Sequence, residues 1–98
     1  MTIQEFVDEL KICGTGKFHI GKPYGCIRSI EESACPICAL YYYKYKTLHL
    51  NGYAYSIGMG MGLSENDTNT IIYASDTQLP INNLKVENIR KVLEELCQ

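Results

Sequence analysis

The sequence predicts an α+β fold that is mostly α-helical, with an N-terminal helix, one β-hairpin and about four further short helices. Three observations predict it. The length of 98 residues suits one small domain, so we expect residues 1–98 to form a single domain. Apolar side chains recur at helical spacing near both ends of the chain, and two short β-prone runs flank a turn-like segment in its first third.

The first element is an amphipathic helix. Thr2 and Glu5 have the spacing of a capping box, in which each side chain binds the other's backbone amide. The apolar residues that follow at i, i+3, i+4 and i+7 are Ile3, Phe6, Val7 and Leu10. Gly14 suits a helix stop, so the helix should end near Cys13.

A β-hairpin should follow this helix. The runs KFHI (17–20) and CIRSI (26–30) are rich in β-prone residues, and the segment GKPYG (21–25) between them has the glycines and the proline of a turn. The hairpin would carry three side chains that can be positively charged, Lys17, His19 and Arg28.

Pro36 marks the start of the next predicted helix, because proline is tolerated in a first helical turn. Ser33 or Cys35 can cap this helix, which should run to about Lys46. The segment GYAYSIGMGMGL (52–63) predicts a short helix with Gly62 as its terminator.

Two more helices complete the prediction. Ser64 and Asp67 have the spacing of a second capping box, and the helix that they begin should end near Asp76. The last amphipathic helix is indicated by the periodic spacing of Val86, Ile89, Leu93 and Leu96.

Charge is distributed unevenly along the chain. The net charge is −2, but residues 10–64 carry six basic residues against two acidic ones. The two flanking segments are acidic. A basic middle of this kind favours an anionic ligand, whereas the overall pI near 5.6 weighs against binding of a long nucleic acid.

The cysteines allow three interpretations. Cys35 and Cys38 have the CxxC spacing of structural zinc sites, and Cys26 with His19 could complete a set of four ligands. The same CxxC at a helix start is typical of dithiol redox sites, although those proteins need parallel β structure around it. The simplest interpretation is that the two thiols pack in the core, as most cysteines outside disulfides do. We therefore expect no cofactor, with zinc as an alternative.

Six of the eight tyrosines lie between residues 41 and 55. Consecutive residues of a helix point about 100° apart, so Tyr41, Tyr42 and Tyr43 cannot all enter one core. One helix face carries Cys38, Tyr42 and Tyr45, and another, which resembles a core face, carries Ile37, Leu40, Tyr41 and Leu48. This leaves a candidate binding surface of Tyr42, Tyr45 and Lys46. Tyrosine beside lysine suits an aromatic, anionic ligand such as a nucleotide, and it equally suits an interface in a homo-oligomer.

Several function classes are disfavoured. With two histidines and no Ser-His-Asp or Cys-His-Asn order, we expect no enzyme and no catalytic residues. No apolar run approaches the length of a membrane span, and the chain opens into an acidic helix rather than a signal peptide. We therefore expect a cytoplasmic protein without membrane contacts.

The order of the motifs resembles a group of small accessory proteins of tailed bacteriophages. The similarity lies in four short motifs: Ile27-Arg28 on the predicted hairpin, the Cys-Pro-Ile-x-Ala helix start over residues 35–39, the Gly-Leu-Ser cap over residues 62–64, and the Ala-x-Asp helix end over residues 74–76. The resemblance implies an accessory role in the cytoplasm of an infected bacterium.

Together these observations predict a non-enzymatic anti-defence protein that sequesters an anionic nucleotide-type signal. The predicted ligand-binding residues are Lys17, His19, Arg28, Tyr42, Tyr45 and Lys46. One alternative is a protein-interaction module that binds and inhibits a host defence protein. A second is a small structural zinc domain with Cys35, Cys38, Cys26 and His19 as ligands.

Overall fold

Five α-helices make up most of the chain that the structure describes. The computed structural model describes residues 1–13, 18–21, 35–46, 54–76 and 81–97. The helices are α1 (Ile3–Cys13), α2 (Pro36–Tyr45), α3 (Ala54–Gly60), α4 (Glu65–Asp76) and α5 (Leu84–Cys97). The observed bounds of α1, α2 and α4 agree with the sequence-based expectations, α3 lies within the predicted segment 52–63, and α5 contains all four apolar residues that indicated the last helix. Within the described ranges, no helix has the length and apolar character needed to cross a bilayer.

Side-chain caps begin four of the helices. The Thr2 hydroxyl accepts the Glu5 amide at 3.1 Å while the Glu5 carboxylate accepts the Thr2 amide at 3.0 Å, which is the predicted capping box of α1. The Cys35 sulfur, the Ser64 hydroxyl and the Asn83 amide oxygen accept the first backbone amides of α2, α4 and α5 in the same way. The Asn83 cap was not part of the sequence-based prediction.

Gly62 ends α3 as predicted. Its φ of +99° lies in the region that glycine enters at least cost. The Gly62 amide donates to the Met59 carbonyl at 3.0 Å, and the Leu63 amide donates to the Gly58 carbonyl at 3.1 Å. These two bonds form a Schellman motif, which turns the chain directly into the cap of α4.

The helices pack in a closed ring around one core. Each helix contacts the next one along the chain, α5 contacts α1 to close the ring, and α2 also contacts α4 across it. The most deeply buried large apolar side chains come from α1, α2, α4 and α5, and they are Phe6, Leu10, Ile37, Leu40, Ile71 and Leu93. This arrangement surrounds α2 with three neighbouring helices, which determines where its side chains can reach solvent.

The predicted α+β class and its hairpin are wrong. The described residues contain helices and no strand, and residues 18–20, from the predicted first strand, do not form one. The Phe18 carbonyl instead accepts the Cys97 thiol at 2.9 Å, and the Gly21 amide donates to the Ser75 carbonyl at 2.6 Å. One carbonyl and one amide of this segment thus bind the last turns of α5 and α4. The second predicted strand (26–30) lies outside the described residues.

Candidate functional site

Helix α2 passes from the core to the surface along its length. All five residues from Pro36 to Leu40 are buried, whereas Tyr41, Tyr42 and Tyr43 are half-buried and residues 44–46 are exposed. The helix is therefore not divided into a core face and a solvent face, because its first half is enclosed by α1, α3 and α4. Its tyrosines emerge together at the end of the helix.

The tyrosines of α2 form two pairs. The rings of Tyr41 and Tyr45, one helical turn apart, have centroids 4.9 Å apart with an angle of 47° between their planes. The rings of Tyr42 and Tyr43 meet edge to face with centroids 5.0 Å apart. Both arrangements are among those that aromatic pairs favour. The ring contacts thus place Tyr45 with Tyr41 rather than with Tyr42.

Two lysines accompany these rings. The Lys44 ammonium lies 5.9 Å from the centre of the Tyr45 ring, and the Lys46 ammonium lies 5.8 Å from that of Tyr43. Both distances are within the range of cation–π attraction. Lys44 also forms a salt bridge of 3.1 Å to Glu9 of α1. Lys46 is the left-handed cap of α2, with φ of 57°, and its amide donates to the Tyr42 carbonyl.

A groove opens between α2 and α3 beside the first tyrosine pair. Its volume is about 350 Å³, and its lining residues are Tyr41, Tyr45, Ser56, Ile57 and Gly60. Ile57 is buried and supplies an apolar surface, while a Cβ atom added at Gly60 would meet no atom within 4 Å. The groove therefore offers two phenol rings, an aliphatic surface, the Ser56 hydroxyl and the open space above a glycine.

Of the three predicted ligand-binding residues on α2, only Tyr45 is among the lining residues of this groove. Tyr45, which is 48% exposed, lines it, whereas Tyr42 lies against Tyr43 and Lys46 lies over Tyr43. Sequence reasoning missed Tyr41, Ser56 and Gly60 as lining residues. The spacing of Tyr41 and Tyr45 at i and i+4 was a usable signal, since such residues stack on one helix face. No local pattern in the sequence indicated that α3 would form the other wall of the groove.

His19 belongs to a different part of the fold. It is half-buried and follows Phe18, whose carbonyl accepts the Cys97 thiol of α5. Gly21, two residues later, is bound to the end of α4. The short segment that carries His19 is thus bonded on both sides of this residue to α4 and α5, whereas the tyrosines lie on α2. The other two predicted basic ligand residues, Lys17 and Arg28, lie outside the described residues.

The CxxC motif forms the start of α2. Cys35 is its N-cap, and its sulfur accepts the Cys38 amide at 3.4 Å, so the first cysteine has a capping role in the structure. Both side chains are buried. Within the described ranges, no three His, Cys, Asp or Glu side chains are grouped as metal ligands would be. Cys26, a member of the predicted zinc set, lies outside those ranges, and the zinc site stays a prediction.

Tyr55 of α3 interacts with Glu65 at the start of α4. Partial burial, followed by a hydrogen bond to Glu65 and the negative charge of that carboxylate, raises the pKa of Tyr55 above its ordinary value of 10.0. The contact joins α3 to the first turn of α4. Tyr55 therefore helps to fix the helix that forms one wall of the groove.

No family model, curated protein or solved structure matches this chain. The resemblance to phage accessory proteins depends on the short motifs alone and stays a prediction. Functional interpretation therefore starts from the groove between α2 and α3 and from the charges beside it.

Proposed function

We propose that this protein is a non-enzymatic binding protein for an anionic, nucleotide-type small molecule, and that the ligand's aromatic ring occupies the groove between α2 and α3. The observation that carries the proposal is the pair of rings of Tyr41 and Tyr45 facing Ile57 and the open space at Gly60. A volume of about 350 Å³ lies at the lower end of small-molecule sites, which suits a mononucleotide better than a larger cofactor.

Stacking supplies the main attraction in this proposal. A tyrosine ring that contacts a nucleobase contributes about 1–3 kcal/mol, and this contribution varies little with the identity of the base. Tyr45 is the more exposed ring of the pair and is held in place by Tyr41. The hydroxyl of Ser56 supplies a hydrogen-bonding group at the opposite wall.

Lysines at the end of α2 supply the attraction for the anionic group. The last carbonyls of a helix carry partial negative charge, so an anion at this end depends on basic side chains. Lys44 lies beside the Tyr45 ring, and Lys46 extends from the next turn. Because Lys44 is also paired with Glu9, a bound anion would share or displace that carboxylate. Binding should therefore weaken as ionic strength rises.

The biological setting of the proposal comes from the motif resemblance. If the chain belongs with phage accessory proteins, the ligand would be a nucleotide signal of a bacterial defence system, and binding would remove it from solution. The predicted contributions of Lys17, His19, Arg28 and Tyr42 to the same site stay predictions. Inhibition of a host defence protein is the alternative in which the exposed tyrosines contact a protein instead.

Titration calorimetry with a panel of cyclic mononucleotides, cyclic dinucleotides and ADP-ribose-type nucleotides tests the proposal. We expect at least one member to bind the unmodified chain, and Tyr45→Ala to weaken that binding on the order of tenfold through lost stacking. Tyr73→Ala is the matched control, because Tyr73 is a 51% exposed tyrosine on α4 that does not line the groove. Tyr73→Ala should bind the nucleotide with the same affinity as the unmodified chain.

Gly60→Leu tests whether the nucleotide binds in the groove rather than elsewhere on the surface. A side chain at residue 60 enters open space, so the fold should be retained or slightly stabilised while the groove is filled. We expect binding to be lost with helical circular dichroism unchanged. If no nucleotide of the panel binds, or if Gly60→Leu and Tyr45→Ala bind as the unmodified chain does, the groove is not a nucleotide site.

A further inference from the structure

Cys35 and Cys38 bring two thiols together on the first turn of α2. They are three positions apart, and the Ala39 amide donates to the Cys35 carbonyl at 2.9 Å, which closes the turn between them. Helical geometry over such a turn separates the two Cα atoms by about 5 Å, within the range of about 4.4–6.8 Å that a disulfide spans. The backbone of α2 therefore holds the pair at a separation that a disulfide accepts.

The Cys35 side chain already lies against this turn. Its sulfur accepts the Cys38 amide at 3.4 Å, so it is placed beside the backbone of the second cysteine rather than away from the helix. The partial positive charge at a helix N-terminus stabilises a thiolate, which is the reactive form of cysteine. Cys35 therefore has the position of an attacking thiol, and Cys38 has that of the thiol that completes a disulfide.

Burial restricts the oxidants that can reach the pair. Cys35 is 4% exposed and Cys38 is 9% exposed, so a disulfide of peptide size would have to open the start of α2. Hydrogen peroxide is little larger than water and does not need such an opening. It oxidises a thiolate to a sulfenic acid, which condenses with a neighbouring thiol.

We propose that Cys35 and Cys38 are a peroxide-sensitive dithiol, which hydrogen peroxide converts into a disulfide within the chain. The Cys35 thiolate attacks one peroxide oxygen, the O–O bond breaks, and the hydroxide that leaves takes up a proton to become water. The Cys38 sulfur then attacks the sulfur of the sulfenic acid. An S–S bond forms, the S–O bond breaks, and the second water leaves with the Cys38 proton. The two thiols are oxidised by the loss of two hydrogen atoms, and one peroxide is reduced to two waters.

Peptide mass spectrometry of the full chain tests the pair. The folded chain is treated with hydrogen peroxide, alkylated in denaturant and cleaved by trypsin. Cleavage after Arg28 and Lys44 leaves Cys35 and Cys38 as the only cysteines of residues 29–44. We expect this peptide to lose two hydrogen atoms and to take up no alkyl group. Cys97 is the control, because its thiol donates to the Phe18 carbonyl, and the peptide of residues 92–98 should be alkylated.

Two variants assign the roles of the two thiols. Cys38→Ala removes the thiol that completes the disulfide, so the sulfenic acid at Cys35 should persist and be trapped by dimedone. Cys35→Ser keeps a side-chain cap for α2, and its remaining Cys38 should take up no dimedone. Helical circular dichroism confirms that each variant is folded.

Three results would overturn the inference: a peptide 29–44 that keeps both thiols or gains oxygen after peroxide treatment, a disulfide that joins this peptide to another cysteine, or equal dimedone uptake by Cys35→Ser and Cys38→Ala. The readout is the mass of one peptide. It therefore gives the same answer whether or not the α2–α3 groove binds a nucleotide.

Discussion

Replacing Gly58 by alanine should destabilise the protein, whereas the same replacement at Gly60, two residues later in α3, should stabilise it. Both glycines are helical, so alanine gains up to about 1 kcal/mol of helix propensity at either position. The difference arises from the surroundings. A Cβ at Gly58 would lie 2.7 Å from Thr68 Cγ2 and 3.1 Å from its Oγ1, whereas a Cβ at Gly60 would meet no atom within 4 Å.

The neighbour at Gly58 cannot move easily. Thr68 is fully buried in α4, and its Cγ2 is a methyl group on a β-branched carbon with restricted rotamers in a helix. Relief of the overlap requires α3 and α4 to separate, and such overpacking costs about 1–3 kcal/mol. We therefore expect the free energy of unfolding of Gly58→Ala to lie about 2 kcal/mol below that of Gly60→Ala.

Urea unfolding followed by circular dichroism measures this difference, provided that the two variants unfold with equal m-values. Combining Gly58→Ala with Thr68→Ser removes the overlapping methyl, so the double variant should be more stable than the sum of the single changes. The close α3–α4 contact would be refuted if Gly58→Ala were as stable as Gly60→Ala, or if the two changes were simply additive.

Two further predictions concern stability. The buried Thr68 hydroxyl has no hydrogen-bond partner among the described residues. Thr68→Val should therefore raise the free energy of unfolding, measured in urea, by about 1 kcal/mol. Thr70→Val is the control and should not raise it, because it removes a hydrogen bond of 2.8 Å to the Asn66 carbonyl. Hydrogen bonds from the Thr2 amide and then from the Thr2 hydroxyl hold the pKa of Glu5 below its ordinary value of 4.5. The stabilisation that ionised Glu5 provides is therefore complete above pH 4.5 and is lost as the pH falls through the lower pKa of Glu5 in the folded state. The difference in stability between the unmodified chain and Glu5→Gln should therefore shrink on acidification. A difference that stays constant from neutral pH to pH 3 would contradict this.

The helices were predictable because their signals are local. Thr2 and Ser64 cap helices through atoms three residues away, and Gly62 ends one through its own backbone geometry. The hairpin prediction failed for the opposite reason. The run around Phe18 is β-prone by composition, but the Phe18 carbonyl binds Cys97 of α5 and the Gly21 amide binds Ser75 of α4, two residues that follow more than 50 positions later in the chain. Short-range propensity carries no information about such contacts.

The tyrosine surface was predictable only in part. Helical geometry required that the consecutive tyrosines of α2 could not all be buried, and the structure agrees, since Tyr41, Tyr42 and Tyr43 are each half-buried. The division into faces was less accurate, because Cys38, assigned to the same face as Tyr42 and Tyr45, is buried beside Ile37. Enclosure by three helices decides burial in α2, and periodicity along one helix cannot reveal it.

Native mass spectrometry of the chain purified from bacterial cells tests the central claim most directly. We expect the unmodified chain to retain an additional mass of nucleotide size that is released on denaturation and absorbs as a nucleobase. Gly60→Leu, prepared in the same way, should retain none, because residue 60 lines the groove and we expect a leucine side chain there to occupy its space. An unmodified chain without such a mass, or equal retention by Gly60→Leu, would contradict nucleotide binding in the α2–α3 groove.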